Sequence, residues 1–424
     1  MSIYSVGAYF CSNSNAKIVT THKRRTIKLN SIMHRSIAFL IVIALLSCSC
    51  KSNTQQKETI AETIAEDTIT DSPREAKLTF VGDFLFEAPF FTAVDNGYDR
   101  NSYFALVKEY FDDDDLSVGN MEVVIGNDGM KVSGDNYNFC APRYIGDLVA
   151  SLDMQVLSTA NNHTFDRGIE GLNSTLDFFD STNIVTVGTY RSQQDRETPR
   201  IVEKNGIKFG FLAYTLSTNQ IVPQQYRNLV GLYRNPETRK VTDEYKTLIA
   251  KEMSALRPEV DVLIVMMHWG TEFTFEPNSE QKEMAIFLNE HGADIVYGSH
   301  SHSVQPVEFI GNEHKTLVFY SLGNFASQDD DIARTPKGQE TFDNAYQVGL
   351  LSQFKIKLDN GKVEISDLTN HLIVNHINYD MKKFVLVPFE QYDEFYEKTH
   401  YRYNLGFNRE FVNGLYEVVN KELK

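Results

Sequence analysis

Ile295-Val-Tyr-Gly-Ser-His-Ser-His302 is a short β-prone apolar run that breaks off abruptly into glycine, serine and two histidines. The same shape recurs along the chain. Leu78-Thr-Phe-Val81 runs into Gly82-Asp83, Leu116-Ser-Val118 into Gly119-Asn-Met-Glu122, and Val156-Leu-Ser-Thr159 into Asn161-Asn-His163. Val262-Leu-Ile-Val-Met-Met267 runs into His268-Trp-Gly270, and Leu317-Val-Phe-Tyr320 into Ser321-Leu-Gly-Asn324. Helical spacing fills the gaps. Leu172, Leu176 and Phe179 recur at i, i+4 and i+7, and Ser279 opens a run with Met284, Phe287 and Leu288 on one face, closed by Gly292. Strands alternating with helices predict an α/β layered fold, in which ligands sit beyond the carboxyl ends of the strands. The polar clusters, though far apart in sequence, are therefore expected to converge on one site.

Taken singly, each cluster has a plain reading: Gly-Asp is a turn, and a histidine at a strand end is a hydrogen-bonded packing residue. The histidine distribution decides between the readings. Of 11 histidines, nine follow the leader, and four of those (His163, His268, His300 and His302) fall at these strand ends. On an extended segment His300 and His302 would share a side, since residues i and i+2 do. Imidazole, carboxylate and amide oxygen together suit Zn, Mn or Fe better than Mg or Ca alone. Asp83 and Glu122 would add the negative charge. The Asp112–Asp115 run has no spaced glycine and glutamate after it and reads as a solvated acidic turn.

The chain of 424 residues carries a formal charge of −16. Residues 1–47 hold six basic residues and no acidic one, so the remainder has 35 basic against 57 acidic, a net of −22. A body that acidic repels a nucleic-acid backbone, which argues against nucleic acid as a partner. Four cysteines, two of them Cys48 and Cys50 in the leader, give no disulfide framework. Residues 33–48 combine a basic start, an apolar core from Ile37 to Leu46 and small residues at the cut, the pattern of a secretory signal. That core is shorter than the ~20 apolar residues a membrane-spanning helix needs. Leu45-Leu-Ser-Cys48 resembles a bacterial lipobox, which predicts lipidation of Cys48 and a membrane partner through the lipid. Ser49 after it favours the outer membrane of a two-membrane envelope. Residues 1–32 read as an upstream mis-start or unstructured extension. Residues 49–76, rich in Thr, Glu and Gln without an aromatic, read as a flexible tether. The main domain is expected over 77–326. A C-terminal α+β extension, a hairpin and helices packed on it, is expected over 327–424, with His371, His376 and His400 structural.

The motifs Val81-Gly-Asp83, Asn120-Met-Glu122, Asn161-Asn-His163 with Asp166, His268-Trp-Gly-Thr-Glu272, Gly298-Ser-His-Ser-His302 with Gln305, and Tyr320-Ser-Leu-Gly-Asn324 stand in one order over 77–326. Together they resemble the capsule-synthesis CapA family, also called the poly-gamma-glutamate synthesis family, whose fold is similar to calcineurin-like metallophosphatases. The resemblance implies a layered metallophosphatase-like β-sandwich flanked by helices. It also implies two divalent metal ions held by Asp83, Glu122, Asn162, His268, His300 and His302. His163 would be the catalytic acid with Asp166 beside it, and Glu272, Gln305 and Asn324 would take substrate or supporting roles. The implied function is a cell-envelope hydrolase tied to capsule or poly-gamma-glutamate synthesis or export, with metal-activated water attacking a phosphoester or amide. The alternative is a non-catalytic subunit of the polymer-synthesis machinery that binds or guides the polymer; a body at −22 disfavours holding a polyanion. One departure stands out. The superfamily's Asp-x-His is Asp83-Phe84-Leu85 here, so one metal site lacks an imidazole.

Overall fold

The computed structural model describes residues 72–134, 138–328, 340–380 and 383–423. The leader, Cys48 and the tether up to residue 71 lie outside the described residues. No described helix is long and apolar enough to cross a membrane.

Among the described residues, fourteen strands build two sheets. They are β1 (Arg74–Leu85), β2 (Leu116–Met121), β3 (Val156–Ser158), β4 (Val185–Val187), β5 (Arg200–Lys204), β6 (Ile207–Thr215) and β7 (Val262–His268), then β8 (Ile295–Ser299), β9 (Val307–Ile310), β10 (Thr316–Phe319), β11 (Asn324–Ser327), β12 (Val348–Asp359), β13 (Lys362–Asn378) and β14 (Lys383–Pro388). The first sheet runs β14-β13-β12-β1-β2-β3-β4, with β11 also paired to β1; the second runs β5-β6-β7-β8-β10-β9. β1 to β4 are mutually parallel, and so are β6, β7, β8 and β10.

Side-chain alternation sorts the residues into layers. Leu78, Phe80, Val118, Phe209, Phe211, Ile264, Tyr297 and Phe319 belong to one buried cluster between the sheets. Phe80 is its hub, with ring centroids 5.5 Å from Phe319 of the second sheet and 5.0 Å from Phe354 of its own. Residues of the opposite parity face outward. Val81, Leu157, Leu351 and Ile373 pack with helices 88–95, 143–150 and 168–179, through Phe90, Ile145 and Phe178. Leu263, Val265 and Val296 pack with helices 243–256 and 279–290, through Met253 and Met284. The result is helix, sheet, sheet, helix. The central strands are buried on both faces, hence their unbroken apolar runs.

The helix 279–290 starts one residue after Asn278, whose side chain caps Gln281 N while the Gln281 side chain returns to Asn278 N. Asn161-Asn-His163 does not cap the helix from Gly168: Arg167 is its N-cap, with no side-chain cap. At the top of β1 the chain passes so near Gly323 that a Cβ on Gly82 would lie 2.0 Å from the Gly323 carbonyl oxygen. Asp83 N donates to that oxygen at 2.9 Å. β1 thereby leaves β12, which it pairs from Arg74 to Val81, and takes β11 as neighbour from Asp83 to Leu85.

Two boundaries differ from the sequence reading. β1 begins at Arg74, and Ala76 is buried, so the last residues of the expected tether are strand. The expected C-terminal extension contributes three strands to the first sheet, with β12 directly beside β1. Both differences have one cause: the partner of β1 lies about 280 residues further on, where local composition cannot show it.

Candidate metal centre

The strand ends converge. Asp83 lies two residues before the end of β1, Glu122 follows β2, Asn161 to Asp166 follow β3, His268 closes β7, and His300 and His302 follow β8. All eight candidates Asp83, Glu122, Asn162, His163, Asp166, His268, His300 and His302 are buried. Ligand atoms of Glu122, His268 and His300 lie within 4.8 Å of one another, and so do those of Asp83, Glu122 and His302. A third set, Glu272, His300 and His302, meets the same distance.

The donor chemistry fits divalent cations, because several of these groups have no other partner. Neither oxygen of the buried Glu122 carboxylate has a hydrogen-bond partner, nor does His300 Nδ1. The Glu122 Oε1 lies 3.3 Å from His268 Nε2 and 4.0 Å from His302 Nε2. Buried polar atoms are otherwise paired almost without exception, and a carboxylate stripped of water costs more than a neutral group. Burial pushes the Asp83 carboxyl well above the usual range, and the neighbouring Glu122 pushes it further. Burial raises Glu122 too, against the pull of His302 and His163. Burial holds His268 and His300 well below the ordinary imidazole value, which keeps both rings neutral at neutral pH. His302 goes the other way: burial lowers it, but Glu122, Glu272 and Asp83 around it prevail and raise it.

Each ligand candidate is also aimed. Asn324 Oδ1 lies 2.8 Å from His302 Nδ1, while Asn324 Nδ2 donates to the Tyr346 carbonyl. An amide oxygen only accepts, so His302 carries a proton on Nδ1 and presents Nε2 toward Glu122. Ser299 Oγ lies 2.8 Å from His268 Nδ1, and Asn162 Oδ1 lies 2.8 Å from His268 Nε2. His163 Nδ1 lies 2.7 Å from Asp166 Oδ2, which also accepts from Phe139 N at 2.6 Å. The Phe139 ring sits 4.4 Å from the His163 ring.

The expected shared face of an extended His-Ser-His is not how the two imidazoles meet. His300 has φ 92° and His302 φ 53°, so the segment is tightly bent, with ring centroids 6.1 Å apart. Left-handed backbone at a non-glycine residue costs about 1–3 kcal/mol and persists where surrounding structure imposes it. Here His300 N donates to Asp83 Oδ2 at 3.2 Å. Gln305 is brought near but spent elsewhere: it accepts from Gln281 at 2.9 Å and donates to the Thr274 carbonyl at 2.9 Å. Leu85, two residues after Asp83, is buried in the outer cluster of the first sheet.

Three positioning residues carry roles the sequence reading did not assign. Asn120 donates to Asp83 Oδ1 at 2.7 Å and accepts from Asn161 Nδ2 at 3.2 Å, chaining the β1, β2 and β3 ends together. Asn219 reaches 3.4 Å from both His163 ring nitrogens, and its backbone N donates to Asn162 O at 2.7 Å. Ser299 orients His268. Asn120 had a signal, its place at a strand end; Asn219 sits in an irregular loop with none.

A two-sheet α/β scaffold with a buried cluster of carboxylates, amides and imidazoles at its parallel strand ends defines a protein suited to divalent cations. The bacterial capsule synthesis protein PGA_cap model matches residues 77–329, and the chain belongs to that family. It is 26% identical over 311 residues to the PGA biosynthesis protein CapA of Bacillus subtilis, an alignment covering 73% of this chain and 75% of that one. It is 26% identical over 253 residues to the capsule biosynthesis protein CapA of Bacillus anthracis, covering 58% of this chain and 59% of that one. Among solved structures it is similar to a phosphatase from Mycoplasma pneumoniae, with 14% identity, a TM-score of 0.43, and coverage of 78% of this chain and 99% of that one.

Proposed function

We propose that the protein is a cell-envelope hydrolase that cleaves a phosphoester or an amide during synthesis or export of a capsular polymer of the poly-gamma-glutamate kind. The observation that carries this reading is the unpartnered Glu122 carboxylate, enclosed by Asp83, His268, His300 and His302. Two divalent cations, Mn, Zn or Fe, would be held there. Glu122 would be shared, with Asn162, His268 and His300 on one side and Asp83 and His302 on the other. When bound, such cations polarise the electrophile and make water a stronger nucleophile at neutral pH.

The chain's own residues do the rest. Asp166, accepting from His163 Nδ1, fixes that ring and leaves Nε2 as the atom that exchanges a proton with the leaving group. Phe139 and Asn219 hold the ring between them. Asn120 and Asn161 tie three strand ends into one rigid floor, so that the donors are positioned before substrate arrives. Lipidation at Cys48 would keep the site at the membrane surface; Cys48→Ala is expected to release the protein from the membrane fraction.

The test is elemental analysis of the full chain beside a His300→Ala/His302→Ala variant, with turnover of phosphoesters and gamma-glutamyl amides. About two equivalents of cation in the parent, lost with turnover in the variant, support the reading; turnover that survives the double substitution sinks it. The rival reading is an accessory subunit that guides the polymer without cutting it. Leu85 favours it, because an apolar side chain stands where the superfamily has a ligand.

A further inference from the structure

Leu85 offers no imidazole beside Asp83, and the loop that follows β7 brings a carboxylate to His300 and His302. Glu272, His300 and His302 offer ligand atoms within 4.8 Å of one another. His302 belongs both to this set and to the set of Asp83 and Glu122, so Glu272 shares a candidate ligand with the Asp83 position. His300, 6% exposed, keeps Nδ1 without a partner in the same cluster.

The loop is held in place rather than left free. Trp269 is fully buried and its indole N–H donates to the Tyr320 carbonyl at 2.8 Å. Phe273, next to Glu272, adopts φ 59° while its N–H donates at 2.7 Å to the carbonyl of Ser301, the residue between the two histidines. The Phe273 ring lies 5.9 Å from that of His302. Gln305, anchored by the capping glutamine Gln281, grips the Thr274 carbonyl. A left-handed phenylalanine costs free energy, and the contacts that impose it also set the position of Glu272.

We infer that Glu272 is a ligand of the second divalent cation, supplying from the loop after β7 the donor that Leu85 withholds at the end of β1. This rests on the proposed two-cation centre and names its missing ligand. A carboxylate in place of an imidazole makes that position harder and more negative, favouring Mn over Zn there. Because Glu272 is exposed, the second cation would also be the more readily exchanged of the two.

The experiment is titration of the metal-stripped full chain, solubilised in detergent, with Mn²⁺ alone, read as stoichiometry and dissociation constants, with electron paramagnetic resonance reporting whether two Mn²⁺ ions are coupled. The wild type is expected to take two. Glu272→Gln is expected to keep one unchanged and to weaken the other at least about tenfold, the loss that even ligand-orienting groups produce. Glu272→His, which restores an imidazole donor at an exposed position, is expected to recover the second ion. Glu276→Gln, on the same loop but paired with Lys421, is the control and should bind as wild type. Two ions bound with unchanged constants by Glu272→Gln overturn the inference and leave the proposed centre standing. A wild type that binds a single ion overturns the inference together with the two-cation centre it rests on, and one that binds none overturns the proposed hydrolase as well.

Discussion

Replacing Glu122 with glutamine is a perturbation whose sign depends on whether divalent cations are present. The ligand atoms of Asp83, Glu122 and His302 lie within 4.8 Å of one another, and His302 Nε2 is 4.0 Å from Glu122 Oε1. At an effective dielectric of about 20, the repulsion between two carboxylates is at least about 3.5 kcal/mol within that limit, and the attraction to a protonated His302 is about 4 kcal/mol. The two nearly cancel. What remains is a carboxylate removed from water without a donor, which costs at least ~1–3 kcal/mol. Glutamine keeps the shape and sheds the charge, though its own buried amide returns part of the cost. The cation-free variant is therefore expected to be about 1 kcal/mol more stable than wild type near neutral pH, a rise in Tm of about 2 °C. The pH dependence follows from the raised carboxyls of Asp83 and Glu122. A group that binds its proton more tightly when folded gives stability below its unfolded value and loses it as pH rises through the folded one. Cation-free wild type should thus lose stability from about pH 5 upward on account of these two groups, and the variant should lose less. His268 and His300, which resist protonation when folded, act oppositely below about pH 6.5 and affect both proteins alike. With Mn²⁺ at about 100 times its dissociation constant, wild type gains about 2.7 kcal/mol and the variant much less, so the ranking reverses. Thermal melts in EDTA and in Mn²⁺ measure this directly. A variant less stable than wild type in both conditions would refute the reasoning, because Glu122 would then make net favourable contacts without a cation.

Other substitutions separate chemistry from scaffold. His163→Asn should lower kcat by ~10²–10⁴-fold while Mn²⁺ uptake stays intact, measured by turnover beside elemental analysis. Asn324→Ala frees the His302 ring and should weaken one cation by ~10–100-fold in a titration, with circular dichroism unchanged. Gly82→Ala puts a Cβ 2.0 Å from the Gly323 carbonyl oxygen, forcing β1 and β11 apart; denaturant unfolding should show a loss of at least ~1–3 kcal/mol. Deleting residues 348–424 strips β12 from β1 and should leave no cooperative unfolding transition, whereas a truly appended extension could be removed with the transition retained.

The fold was legible where the signal is local. Apolar runs such as Val262–Met267 are long and uninterrupted because both faces of β7 are covered, one by the other sheet and one by helices. Their polar ends follow from parallel topology, which sends every carboxyl end to the same side of the layers. The pairing of β1 with β12 was not legible. Both strands alternate correctly, Phe354 to Leu358 among them, but alternation gives the face of a residue and not its neighbour strand. Hence the C-terminal stretch read as an addition, although Tyr346, just before β12, supplies the carbonyl that holds Asn324.

The centre was legible in its donor types and less so in the way they are aimed. Asp83, Glu122, Asn162, His268, His300 and His302 all come from strand ends, and the structure gathers them, Asn162 through its 2.8 Å contact with His268. An extended segment would set His300 and His302 on one side, whereas the chain there is left-handed at both residues. The pair meets because Asp83 takes the His300 N–H and Asn324 takes the His302 Nδ1 proton, contacts made across more than 200 residues in the first case and 22 in the second. Glu272 illustrates the limit best. In sequence, Leu85 shows only that a ligand is missing. The replacement lies on another strand's loop, and its position depends on Phe273, Ser301 and Gln305 acting together. A lost donor can thus be made good from any strand whose end reaches the same space. For that reason the absence of one motif histidine does not by itself make the second cation position weak, and the Glu272 substitutions decide between the two readings.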